Sequence, residues 1–308
     1  MTQRNMQASL PVNTDVLKAV STLTIQVRRV VEGLQGGGHA SLHQGASIEF
    51  AEHKKYYPGD DIRLIDWKAL ARTGRYFIKT HEREVTLRCL MLIDCSPSMS
   101  FKGTRASMSK LDYAKILLGS MAHILVRQGD AVGLLAFDQA PFMYFPPKSK
   151  PEHLPALLSR LATLTPATSG PTKLVPALRQ AADRVGRRAM VVIASDMWSA
   201  GKDADIAMAS LSARGHDVAL FHILSPDEHD LPYDREMTFY GMEGEGEISV
   251  DAALIRQDYR EAVRKKIERM RQSSGKAGID MIDSNTSYAP EVVLADFAAR
   301  RHRLGKIR

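Results

Sequence analysis

Asp94-Cys95-Ser96-Pro97-Ser98 gathers one carboxylate and two hydroxyls within five residues. The preceding apolar run, residues 87–93, reads as a buried strand, and Pro97 ends regular structure at once. In an open parallel sheet, groups at a strand's C-terminal tip face the crevice where ligands bind. An all-oxygen set there suits a hard cation such as Mg²⁺, which takes octahedral oxygen ligands and keeps some of its waters; Mn²⁺ and Ca²⁺ share that preference. A plainer alternative is that Asp94 and Ser96 cap the next helix.

Two further features carry the same chemistry. Thr172 closes a hydroxyl-rich loop, residues 165–172, and is also placed to cap the helix that runs on to Arg184. Asp196 follows another apolar run, residues 189–195. In a doubly wound sheet of order 3-2-1-4-5-6, the first and fourth long strands are neighbours at the switch point. Asp94, Ser96, Ser98, Thr172 and Asp196 then converge on one cation, whereas capping has to explain each placement separately.

The elements that must position these residues follow from periodicity. Apolar runs at 87–93, 132–137, 189–195, 218–224 and 279–282 predict buried strands, and 142–145 predicts an edge strand before Pro146-Pro147. Helical patterns intervene at 111–125 (closed by Gly129), at about 151–164, at 172–184, 204–213 and 252–272, and from Pro290 onward. Such alternation predicts an α/β fold with a doubly wound, mostly parallel sheet, Rossmann-like in plan, beside a small N-terminal α+β subdomain.

We divide the chain into a tail and helix (1–37), a small subdomain (38–85) and the main α/β domain (86–308). In the first part, Val16, Leu17, Val20, Leu23, Ile25 and Val31 suggest an amphipathic helix ending near Gly33, before a joint at Gly36-Gly37-Gly38. In the second, Pro58-Gly59 marks a turn, Asp66 can cap a short helix through Arg72, and Tyr76-Phe77-Ile78 reads as a strand. Its acids and arginines form either a buried ion-pair network or a partner surface, and the mixture of signs favours the network. His39, His43, His53 and His81 lack the tight spacing and cysteine companions of a zinc site. Further on, residues 236–248 are extended, with an exposed acidic turn at Glu243-Gly244-Glu245-Gly246-Glu247.

Composition narrows the function. Cys89 and Cys95 are the only cysteines of the 308 residues, so no disulfide framework or cysteine-based zinc site is available. No apolar run reaches the roughly 18 residues of a membrane span, and the first residues lack a signal peptide's apolar stretch, from which we expect a cytoplasmic protein. A formal charge of +7 raises the prospect of an acidic partner. Gly275-Lys276 resembles the end of a P-loop, but Met270 stands where its first glycine belongs.

Asp94-x-Ser96-x-Ser98 after a buried strand, Gly170-Pro171-Thr172-Lys173-Leu174 opening a helix and Ser195-Asp196 after a later strand resemble the metal-ion-dependent adhesion site (MIDAS) of von Willebrand factor A domains. Upstream, Tyr57-Pro58-Gly59-Asp60-Asp61-Ile62-Arg63-Leu64-Ile65-Asp66-Trp67-Lys68-Ala69-Leu70-Ala71-Arg72 resembles the signature of the bacterial MoxR-associated family, a former domain of unknown function. The resemblance runs from about Gly38 to the C-terminus. It implies that Asp94, Ser96 and Ser98 supply a first metal loop, Thr172 a second and Asp196 a third, some of them through water. A sixth position would take an Asp or Glu from a partner. Family members pair with MoxR-type AAA+ ATPases; many also carry N-terminal membrane segments, which this chain lacks.

The expected function is therefore a non-enzymatic, chaperone-like adaptor. It would dock acidic residues of a MoxR-type AAA+ ATPase or a client protein through a Mg²⁺-type site, in protein assembly or activation. One alternative is a Mg²⁺-dependent phosphotransferase or phosphatase with Asp94 as nucleophile and Lys173 as charge partner. Another is nucleic-acid binding through Arg256, Arg260 and Arg264, spaced along one helix face with Lys265, Arg269 and Arg271. Interleaved Asp258, Glu261 and Glu268 favour a solvated, salt-bridged face there.

Overall fold

A computed structural model describes residues 14–36, 53–56, 65, 67–79, 87–186 and 188–303. Helix α1 (Thr14–Gly36) is followed by β1 (His53–Lys55), α2 (Trp67–Thr73) and β2 (Phe77–Lys79), the two short strands pairing antiparallel. Next come β3 (Arg88–Asp94), a 3-10 turn (Pro97–Ser100), α3 (Lys110–Arg127), β4 (Ala131–Phe137), β5 (Pro141–Lys148), α4 (His153–Thr163) and α5 (Leu174–Arg184). The C-terminal half holds β6 (Met190–Ser195), α6 (Lys202–Ala213), β7 (Asp217–Leu224), α7 (Pro226–Asp230), β8 (Glu236–Tyr240), β9 (Glu247–Asp251), α8 (Ala252–Lys276), β10 (Asp280–Asn285) and α9 (Pro290–Arg303).

Six strands form the central sheet in the order β10-β7-β6-β3-β4-β5. Counted by position in this sheet, that is the 3-2-1-4-5-6 order of a doubly wound fold, parallel throughout except for β5 at the edge. The strands are near-continuous apolar runs because both faces are covered. Cys89, Met91 and Ile93 of β3 face the layer of α1, α3, α4 and α9, whereas Leu90 and Leu92 face that of α5, α6 and α8. Each fully buried Leu or Ile contributes about 1.5–3 kcal/mol by leaving water.

Three expectations change. The helix near residue 16 forms, but its buried stripe is Leu23, Val27, Val30, Val31 and Leu34, while Val16, Leu17 and Ile25 are exposed, because α3, α4 and α9 meet only that side. The edge strand does not stop before Pro146-Pro147: β5 runs through both, since its outer side has no ladder to lose. Gly133 opposite admits this path, for a Cβ there would lie 2.7 Å from the Phe145 carbonyl and from the Pro147 nitrogen. Third, α5 starts at Leu174 with Lys173 at its N-cap and no side-chain capping bond, so Thr172 does not cap it.

In the 38–85 segment, α2 and β2 appear close to the expected short helix and strand. Most of the signature at Tyr57–Trp67, the joint after Gly36, and His39, His43 and His81 lie outside the described residues. Gly275-Lys276 sits at the end of α8, not in a loop that opens a helix.

Candidate metal centre

The site grows from two adjacent strand tips. Ile93 pairs with Ala194 across the parallel β3–β6 ladder, so the chains leaving the sheet bring Asp94 beside Ser195 and Asp196. Asp94 Oδ2 accepts a 2.6 Å hydrogen bond from Ser195 Oγ, and Oδ1 accepts one of 2.8 Å from the Ser96 amide. That amide bond turns the chain into the 3-10 turn, where Ser96 occupies the N-cap without a capping bond from its side chain. Capping thus does not account for Ser96; α3 is capped instead by Ser109, whose hydroxyl accepts from the Asp112 amide. Ser96 Oγ lies 3.0 Å from Ser98 Oγ.

The other strand tip is held as tightly. Met197 adopts φ 55°, the left-handed region that costs a residue with a Cβ roughly 1–2 kcal/mol. Two bonds hold it there: its amide donates to Ser195 Oγ at 3.0 Å, and the Trp198 amide donates to Asp196 Oδ1 at 3.1 Å. Asp196 Oδ2 accepts from Lys110 Nζ at 2.6 Å, and Lys110, fully buried, also pairs with Glu228 at 2.5 Å.

Thr172 arrives on a loop fixed by three bonds: Ala167 N to Cys95 O (2.7 Å), Gln139 Nε2 to Ser169 O (2.9 Å) and Lys173 N to Asp138 O (2.9 Å). Gly170 in this loop has φ 99°, and a Cβ there would run into Gln139. Asp94, Thr172 and Asp196 therefore line one crevice together with Trp198 and Ser199, and Ser96 and Ser98 are buried next to Asp94 in the chain.

Charge in the crevice is unbalanced. Burial, and then the neighbouring charge of Asp196, push the Asp94 carboxyl up to about 7. Burial also works against ionisation of Asp196, but Lys110 outweighs it and holds that carboxyl below its usual range. Burial likewise opposes the charge on Lys110, and Asp196 with Glu228 raises its pKa despite that. Cys95 points into the apolar core, where burial keeps its thiol protonated.

Sequence reasoning missed a further carboxylate. Glu243, expected in an exposed turn, reaches from the β8–β9 turn into the crevice. Its Oε1 accepts from Ser98 Oγ (3.1 Å) and Thr172 Oγ1 (2.8 Å), and its Oε2 from the Thr172 amide (3.1 Å) and from Ser199 Oγ. The donor set suits a hard Mg²⁺-type cation in its chemistry, since every candidate ligand is an oxygen. Hydrogen bonds of 3.0, 3.1 and 2.8 Å already link Ser96 with Ser98, Ser98 with Glu243 and Thr172 with Glu243. Among the described residues, no group of three or more His, Cys, Asp or Glu is placed to hold a metal, so any ion here depends on hydroxyls.

Lys173, the charge partner expected for phosphotransfer, is not the lysine on the carboxylates; Lys110 is. The basic stripe of α8 is largely engaged. Arg256 donates to the Leu231 and Tyr233 carbonyls, Arg260 to that of Asp230, and Arg271 bonds Glu268 and Asp283. No helix among the described residues is long and apolar enough to cross a membrane.

Comparison with known proteins gives relatives over nearly the whole chain. Uncharacterized protein Rv1480 of Mycobacterium tuberculosis (strain ATCC 25618 / H37Rv) is 27% identical over 293 residues, covering 92% of this chain and 89% of that protein. The same figures hold for Uncharacterized protein Mb1516 of Mycobacterium bovis. Among solved structures, the conserved hypothetical protein BatB from Bacteroides thetaiotaomicron matches 70% of this chain and 99% of its own at 19% identity, TM-score 0.47. The SpRpn10 VWA domain matches 68% of this chain and 94% of its own at 12% identity, TM-score 0.40. The family described as protein of unknown function DUF58 matches residues 52–269, well over half the chain, and the protein belongs to it.

Proposed function

We propose that this protein is a non-enzymatic binding module, a MIDAS-type adaptor that holds a Mg²⁺-type cation at the tips of β3 and β6 and docks an acidic side chain of a partner through it. The observation that carries this reading is that three segments remote in sequence bring Asp94, Thr172 and Asp196 to one crevice, with Ser96 and Ser98 following Asp94 and Ser98 sharing the Glu243 carboxylate with Thr172. Asp94 and Asp196 would hold the cation with the three hydroxyls, directly or through water. When bound, the cation supplies the positive charge that joins the protein's carboxylates to a partner's. Asp94 is already oriented by Ser195 and Ser96, and Asp196 by the Trp198 amide and Lys110.

The partner on this reading is a cytoplasmic MoxR-type AAA+ ATPase or its client. Internal engagement of Arg256, Arg260 and Arg271 favours a protein partner over nucleic acid. Calorimetric titration of Mg²⁺ and Mn²⁺ into EDTA-treated protein tests the site: wild type binds, and Asp94→Ala and Asp196→Ala lose affinity at least tenfold. Equal binding by all three proteins would overturn the assignment.

A further inference from the structure

A carboxylate already stands where a partner's would be expected. Glu243 touches three hydroxyls and one amide, and two of those hydroxyls, on Ser98 and Thr172, belong to the five residues assigned to the cation. Its Oε1 accepts from both at ordinary hydrogen-bond distances, 3.1 and 2.8 Å. Lysine or arginine, the usual companions of an exposed glutamate, are not among these partners.

The element that carries Glu243 is suited to leave. Among the described residues, strands β8 and β9 pair only with each other, in a two-stranded sheet separate from the central one. A two-stranded hairpin is marginal by itself and needs a support. Here the support comes from α8 and from the 6.0 Å ring contact of Tyr233 with Phe239. Tyr240 and Ile248, on opposite faces of the hairpin, are 70% and 60% exposed.

We propose that Ser98, Thr172, Ser199 and the Thr172 amide form a carboxylate-binding position, filled within the chain by Glu243, and that a partner binds by placing its own acidic side chain there in exchange. This rests on the cation-docking reading and names both the ligand chemistry and the resident competitor. A glutamate on a short tether acts at a local concentration in the millimolar range, so it shields the site from weak acids and yields to a partner with further contacts. The ligand class is thus an acidic side chain on an extended or turn segment, as Glu243 itself is carried.

The test uses a fluorescein-labelled peptide of residues 236–251, followed by anisotropy in saturating Mg²⁺. The peptide should bind Glu243→Ala protein at least tenfold more tightly than wild type. A peptide carrying Glu243→Gln should not bind, and EDTA should abolish the signal. Equal affinity for wild type and Glu243→Ala, or binding to neither while both bind Mg²⁺ in the calorimeter, overturns the proposal and leaves the cation site standing. Absence of Mg²⁺ binding in both proteins sinks the cation reading instead. Hydrogen exchange then decides about Glu243 independently: residues 236–251 exchange faster in Glu243→Ala if that side chain holds the hairpin, and unchanged exchange overturns it.

Discussion

Asp94 and Asp196 are the same residue on neighbouring strand tips, yet Lys110 sits on only one of them. Their variants should therefore differ in metal-free protein. Asp196→Asn strips a buried ammonium of a counter-charge and should cost about 3–5 kcal/mol. Asp94→Asn removes a carboxylate that burial and Asp196 disfavour, and should stabilise at neutral pH. The pH slope gives a second reading. Asp94 binds a proton in the native state between pH 3.8 and about 7 that the unfolded chain has released, so stability falls as pH rises through that window. His222, bonded to the Asp196 carbonyl at 3.0 Å, is driven by burial down to about 4. It adds stability above pH 6.5 that is lost as pH falls toward 4, because the unfolded chain protonates first. The two slopes oppose each other, so in Asp94→Asn stability should rise between pH 4 and 6.5 by about 1.4 kcal/mol per unit more than in wild type. Urea unfolding in EDTA from pH 4 to 8 measures both effects, and matching curves for Asp94→Asn and Asp196→Asn would refute the account. The two aspartates were legible in the sequence because each ends an apolar strand. Which of them carries the cost was not, since Lys110 lies 86 residues from Asp196 in the chain.

Helix α3 shows how an element can be read correctly and one of its residues missed. Apolar spacing over 111–125 locates the helix, but the same spacing also puts Lys110 on the stripe of Ala114, Leu117 and Met121. A lysine in a first turn usually reaches solvent by its long stem. Here the Thr104-Arg105 segment folds back onto Asp227, and Ser225 bonds the Lys102 carbonyl, which roofs the ammonium and brings Glu228 to it. Lys110→Met should cost about 3–5 kcal/mol in EDTA by leaving two acids without their cation. If the proposed cation site exists, added Mg²⁺ should then raise the melting temperature of this variant more than that of wild type, as thermal unfolding with and without the ion will show; an equal rise would separate Lys110 from that proposed site. The β8–β9 hairpin was legible as an extended segment with a glycine-rich turn, but its direction was not. Local pattern sets a turn's conformation, whereas the direction of Glu243 toward Thr172 depends on the hairpin's tertiary support from α8 and Tyr233.

At the scale of the molecule, the doubly wound plan could be read from strand–helix alternation because both faces of a parallel sheet must be covered. The site followed from that plan, as strand order puts β3 beside β6. The share of α1 in the core was less legible, since apolar residues lie on more than one of its sides and only contacts choose among them. Leu23→Ala should cost about 2–5 kcal/mol in urea unfolding and leave Mg²⁺ affinity unchanged, because α1 packs on α3, α4 and α9 away from the strand tips. A parallel loss of affinity would show that α1 supports the site as well. The position of α1 also has a consequence during synthesis. It leaves the ribosome before every element it packs against, and α9 emerges some 250 residues later, roughly 13–50 s at 5–20 residues per second. Over that interval the stripe of Leu23, Val27, Val30 and Leu34 has only part of its final cover, so the nascent chain presents a sticky helix that other unfinished chains, or a chaperone, can seize first.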